Sequence, residues 1–191
     1  ADWRRDSLAT WLHADWMQKV LWRTQVSVSM PRLQGAIGAI DAPQPVEELE
    51  DRDEAPREDL EGSLWVADFI FTRCAVFCPR MTLEMSRVQE GLPADAGVRI
   101  ASFSVDPEHD TPARLREYAE RFNAGPQWDF YTGDLGDIIA VQKDFYVYRG
   151  NKMSHEPTTL MRKSKADPWV RVDGLASGKD IVKEYRQMIG Q

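Results

Sequence analysis

Cysteine is nearly absent: only Cys74 and Cys78 occur among 191 residues. That excludes a disulfide-dense scaffold. A bridge between the two would close so short a loop that it would constrain the unfolded chain little, so stapling is the poorest use of the pair. No second cysteine pair completes the four-ligand set of a structural zinc site. No uninterrupted apolar run approaches the ~18 residues of a membrane span. Basic excess is missing too, with 24 basic residues against 31 acidic ones and a net charge of −7. Nucleic-acid binding, which shows as a basic patch or domain, is therefore not expected. There is no internal repeat. The chain begins at Ala1 rather than Met, and the expectation is that the full-length protein carries an N-terminal signal or anchor.

The remaining composition is that of a globular protein: 42% hydrophobic and 29% charged, long enough to bury a sizeable core. Three regions separate. Residues 1–40 form a tryptophan-rich extension, with Trp3, Trp11, Trp16 and Trp22 near its start. Leu8, Trp11, Leu12, Trp16 and Val20 recur at helical spacing and predict an amphipathic helix near 7–22. Its tryptophans and basic residues suit docking on the domain or proximity to a membrane. Residues 41–61, crowded with carboxylates and three prolines, read as a solvated acidic loop. Residues 62–191 carry the domain.

In that domain "SLWVADFIF" (63–71) is apolar enough for a central buried strand. Pro79 suits the first turn of a helix, continued by Met81, Met85, Val88 and Leu92 at helical spacing. "VRIASFSV" (98–105) is a second strand. Asp110 or Thr111 caps the next helix, with Pro112 in its first turn. A short strand at 128–131, a helix over 134–145, a hairpin from 158–163 and 169–174, and a helix over 177–189 complete the pattern. This order describes an α/β sandwich, a mixed sheet with helices outside.

Both cysteines fall between the first strand and its helix, where open α/β sheets place functional sites. A thiolate there meets the free N–H groups and the positive end of the helix, and Arg73 and Arg80 act in the same direction. Thiolates serve both redox exchange and soft-metal binding, and the three-residue spacing does not choose between them. Of the three histidines, His13 and His109 read as surface residues. His155, before the hairpin, is the candidate third ligand: two thiolates and an imidazole form a soft site suited to Cu(I) and tolerable for Cu(II).

"FTRCAVFCP", "SFSVDPEHDTPARLREYAERF", "SHEPTTLM" and "WVRVDG" together resemble the Sco/SenC family of copper chaperones for cytochrome c oxidase, over roughly residues 60 to 190. The resemblance implies a thioredoxin-like fold and copper held by Cys74, Cys78 and His155, with Asp106 positioning or tuning the site. The junction around Pro157 also resembles that of thioredoxin-like reductases, which often pack a cis proline against their cysteines; the alternative is an ordinary trans proline opening an edge strand. Ala75 stands where the family often has proline, and Ser154 and Glu156 flank the histidine where it often has Asp and Ser. None of these departures removes a ligand.

The resemblance implies delivery of copper to the copper-site subunit of an oxidase, or exchange with another copper chaperone, in the periplasm or an equivalent extracytoplasmic space. The same thiols support a different reading, a thiol–disulfide oxidoreductase in which Cys74 attacks and Cys78 resolves. A peroxidase fits poorly, because Thr72 lies two residues before Cys74 rather than at the spacing that chemistry uses.

Overall fold

The computed structural model describes residues 21–24, 53–54, 64–92, 97–163 and 167–190. In chain order these form β1 (Leu21–Thr24), β2 (Asp53–Glu54), β3 (Leu64–Ile70), α1 (Cys78–Gly91), β4 (Val98–Ser104), α2 (Pro112–Arg121), β5 (Trp128–Gly133), α3 (Leu135–Asp144), a 3-10 turn (Lys152–Ser154), β6 (Thr158–Arg162), β7 (Val170–Asp173) and α4 (Gly178–Met188). The strands make one sheet in the order β2-β1-β5-β4-β3-β6-β7. β3, β4 and β5 run parallel, whereas β6 and β7 run antiparallel to their neighbours. This is the five-stranded mixed sheet of a thioredoxin-like fold, widened at one edge by β1 and β2.

Two expectations change at that edge. Most of the helix expected near 7–22, like most of the region 1–40, lies outside the described residues. Leu21 and Trp22, however, belong to a strand that pairs antiparallel with β5, Trp22 opposite Thr132. The expected acidic loop contains β2, where Asp53 and Glu54 pair with Arg23 and Trp22. Both are long-range pairings, which local periodicity does not report.

Elsewhere the apolar pattern explains the elements. β3 is central, and every side chain from Trp65 to Ile70 is buried, so the strand is apolar on both faces, Asp68 excepted, rather than alternating. Phe69, Phe103 and Tyr131 stand side by side across β3, β4 and β5. Their rings stack at 5.4 and 5.0 Å between centroids, and Phe145 and Trp169 extend the cluster at 5.1 Å. On the opposite face, Asp68 pairs with Ser102 in register. Helix α2 starts at Thr111, whose hydroxyl accepts from Arg114 N–H, so the cap is Thr111 and not Asp110.

The start of α4 fits tightly against α1. A Cβ on Gly178 would lie 2.7 Å from both Arg87 Cβ and the Glu84 carbonyl oxygen, and the Gly178 N–H donates to the Glu84 carboxylate at 2.7 Å. Gly178→Ala is expected to push α4 away and lower stability by about 1–3 kcal/mol, the usual cost of overpacking. The measurement is a urea titration, with a lower midpoint at unchanged slope. An unchanged midpoint would refute the close fit.

Candidate metal and redox centre

The loop between β3 and α1 is held from below by Asp110. This fully buried carboxylate accepts from Thr72 N–H at 3.1 Å, from the Thr72 hydroxyl at 2.5 Å and from the Ser104 hydroxyl at 2.7 Å. The Thr72 hydroxyl is thus committed to a carboxylate, which further weakens the peroxidase reading. Cys74 N–H then closes the turn on the Phe71 carbonyl at 3.1 Å.

No side-chain oxygen caps α1. The cap position is served instead by sulfur, for Cys78 N–H donates to Cys74 Sγ at 3.3 Å. Burial pushes the Cys74 thiol up, but the N–H groups of Cys78, Val76 and Phe77, together with the Cys78 thiol, outweigh it and hold Cys74 below the ordinary thiol range. Cys78 is fully buried and shifts the opposite way. Desolvation raises it, and the neighbouring Cys74 and Asp68 charges raise it further, against a lowering contact with the Phe71 backbone. Both thiols are free. The pair is therefore asymmetric: a partly buried, acidic Cys74 and a fully buried, protonated Cys78.

His155 directly follows the 3-10 turn, and its Nε2 lies 2.7 Å from the Phe69 carbonyl oxygen of β3. A carbonyl only accepts, so Nε2 carries the proton and Nδ1 keeps its lone pair. Burial lowers the His155 pKa, outweighing the raising contact with the Phe69 carbonyl, while Arg149 lowers it a little further and Glu156 raises it least, so the ring is neutral near pH 7. Among the described residues no three His, Cys, Asp or Glu side chains already stand at metal-binding separation. The structure thus brings His155 onto the strand that precedes the cysteine loop without closing a three-ligand set.

Asp106 joins the two loops. Its buried carboxylate takes Arg73 Nη2 at 2.6 Å on one oxygen and Lys152 Nζ at 2.6 Å on the other. Arg73 adjoins Cys74, and Lys152 lies three residues before His155. Desolvation raises the Asp106 pKa, but the two cations more than reverse this and keep it below the usual carboxylate range. Pro157 departs from the cis form of the reductase resemblance: among the described residues no peptide bond is cis. The Glu156–Pro157 bond takes the intrinsically preferred trans form. His109 sits against Arg114 and takes no part in the site, and His13 lies outside the described residues.

Three residues escaped the sequence reading. Asp110 was read only as a cap, and Lys152 gave no signal, because its partner is 46 residues away. Asp68 did give one, being the lone carboxylate inside an apolar strand. It is fully buried, accepts from Ser102 Oγ at 2.6 Å through Oδ1, and its Oδ2 has no hydrogen-bond partner among the described residues.

Fold and site together define a thioredoxin-like protein with a Cys-x-x-x-Cys pair at a strand-to-helix junction. The SCO1/SenC family model matches residues 48–189, beginning inside the acidic stretch, and the chain belongs to that family. The SCO1 protein homolog of Bacillus subtilis is 49% identical over 78 residues, which cover 40% of this chain and 40% of that relative. The chain thus spans less than half the length of that curated protein. The solved structure of BsSco, described as having a disulfide switch and as a member of the Sco family of cytochrome c oxidase assembly proteins, is 31% identical at TM-score 0.61, covering 72% of this chain and 86% of that one. Arabidopsis thaliana ScoI with copper bound is 22% identical at TM-score 0.61, over 72% of this chain and 92% of that one, a likeness that speaks for the fold alone.

Proposed function

We propose that this protein binds copper through Cys74, Cys78 and His155 and delivers it to the copper site of a cytochrome c oxidase subunit in an extracytoplasmic compartment. The observation that carries this reading is the Asp106 bridge, which ties the cysteine loop to the histidine loop at 2.6 Å on each side. The donor chemistry fits as well. Cys74 is held toward its thiolate, and the His155 tautomer leaves Nδ1 as the donor, with Phe69 orienting the ring from behind as carbonyls commonly do for metal-bound histidines. Cys78 must lose its proton to join, so copper uptake releases protons and strengthens as pH rises. Closing the set takes a movement of the His155 loop toward the sulfurs. A site that closes on its cargo is also one that can reopen to release it.

The test is a copper titration of wild type, His155→Ala and Cys74→Ser. His155→Ala is expected to weaken binding by roughly ten- to hundredfold and to change the absorption spectrum, on the scale of losing an oriented donor, and Cys74→Ser to remove the thiolate band of that sulfur. Equal affinity and an identical spectrum for wild type and His155→Ala would sink the three-ligand site.

The thiol asymmetry favours a second reading, thiol–disulfide exchange. The Cys74 thiolate attacks a partner disulfide, releasing one partner thiolate and forming a mixed disulfide. Cys78, once deprotonated, attacks Cys74 Sγ, releasing the second partner thiol and leaving Cys74–Cys78 oxidised. Cys78→Ser should trap the mixed disulfide. The two activities exclude each other on a single molecule at one moment, because an oxidised pair holds no copper.

A further inference from the structure

The two loops that carry the proposed ligands differ from the rest of the surface. Segments 71–81 and 145–155 contain Arg73, Arg80, Arg149 and Lys152 and no carboxylate, in a chain whose net charge is −7. Asp106 answers both Arg73 and Lys152, so two cations share one counter-charge, and Arg149 pairs with Glu156. Arg80 has no charged partner among the described residues. Among the described residues, the same segments hold four of the seven exposed large hydrophobic residues: Val76 at 61%, Phe77 at 43%, Tyr146 at 53% and Met153 at 79% exposure. Tyr146 is also held at φ +56°, a left-handed conformation that a bulky residue rarely adopts and that tends to persist where function requires it. The Asp106 bridge and the contact of His155 with Phe69 bring the two segments to one end of the sheet.

We propose that Val76, Phe77 and Met153, inside the rim formed by Arg73, Arg80 and Lys152, are the docking face for an acidic folded protein that receives the copper. The apolar centre with a charged rim is the usual anatomy of a specific protein interface, and the excess positive charge steers an acidic partner to it. A lipid surface offers no donor atom to take the metal from Cys74, and two copies meeting mouth to mouth would oppose like charges. The inference rests on the copper-delivery reading only for the identity of the partner.

The test is an NMR titration of the copper-free, 15N-labelled protein with the metal-free soluble copper-site domain of the same organism's oxidase subunit. Shifts are expected to concentrate in Ala75–Phe77 and Met153–Ser154. Met153→Glu should weaken binding by about tenfold or more through like-charge opposition, Met153→Leu should stay within about twofold of wild type because the apolar contact is kept, and Met153→Lys should lose less than Met153→Glu because only the apolar contact is lost. The Glu effect should fade near 1 M salt, where the screening length falls to ~3 Å. No binding, or wild-type affinity for Met153→Glu, overturns the proposal. So does an equal loss in Met153→Leu, which would assign the effect to the thioether. Self-association through the same amides, or binding to phosphatidylglycerol–phosphatidylcholine vesicles with the Met153 dependence that the domain lacks, also overturns it. Because no copper is present, failure of the copper titration leaves this result standing, and the reverse holds too.

Discussion

Asp68→Asn is expected to stabilise the protein at pH 8.5 and to leave it nearly unchanged at pH 3.5. Burial pushes the Asp68 carboxyl up from 3.8 to about 7, only partly offset by the Ser102 hydroxyl. A carboxyl whose folded pKa is raised holds its proton longer in the folded state than in the unfolded chain. Its contribution is therefore fully favourable below the unfolded value near 4 and is lost as pH rises through about 7. Above that, the folded protein carries a buried anion whose Oδ2 has no partner among the described residues. At 1.36 kcal/mol per pKa unit, the rise from 3.8 to about 7 makes the loss on the order of 4 kcal/mol, equivalent to roughly 8–16 °C in Tm for a chain of this size. Asparagine keeps the acceptor for Ser102 and cannot ionise. Urea unfolding of both proteins at the two pH values is the measurement. Parallel pH profiles would show that Asp68 is not titrating in this range. The Asp68 charge also opposes ionisation of Cys78, so a residue that lowers stability at alkaline pH also holds the second thiol toward its protonated form.

Asp68 also shows where sequence reading stops. Helices α1, α2, α3 and α4 and strands β3 to β7 follow from runs and spacings of apolar residues, which are local. The partners of β1 and β2 are not local: Trp22 meets Thr132 and Glu54 only after the chain has folded. A tryptophan-rich segment with helical spacing therefore reads as helix even where it ends in a strand. At the candidate site, sequence motifs mark Cys74, Cys78, Asp106 and His155. The asymmetry of the thiols was not legible, because it depends on how deeply each sulfur is buried and on three N–H groups that point at one of them. The identity of the free imidazole nitrogen was likewise invisible, being set by a carbonyl 86 residues away. At Pro157 the sequence left both isomers open, and the backbone takes the trans one.

Asp106→Asn is expected to weaken copper binding by roughly ten- to hundredfold, the scale seen when groups that orient metal ligands are removed. The reasoning runs through the loops rather than the metal. Asparagine keeps the backbone turn, in which the Asp106 carbonyl accepts from His109 N–H at 3.0 Å and from Asp110 N–H at 2.8 Å. It loses the charge that Arg73 and Lys152 share. Those cations then repel across the gap, and the His155 loop is freed from the Cys74 loop. Arg73 is half exposed and Lys152 about a third, so water screens much of the loss and the stability cost should be only about 1–3 kcal/mol. The pH dependence has the opposite sign to that of Asp68. Asp106 has a depressed folded pKa, so its contribution is present above its unfolded value and disappears as pH falls through the folded one. The gap between wild type and Asp106→Asn should therefore be constant from neutral pH down to about 5 and close in stronger acid. Lys152→Met should reproduce most of the copper effect, and the double variant should lose less than the sum of the two, because both changes cut the same tie. Full additivity would mean that Asp106 acts on copper by some route other than the Lys152 bridge.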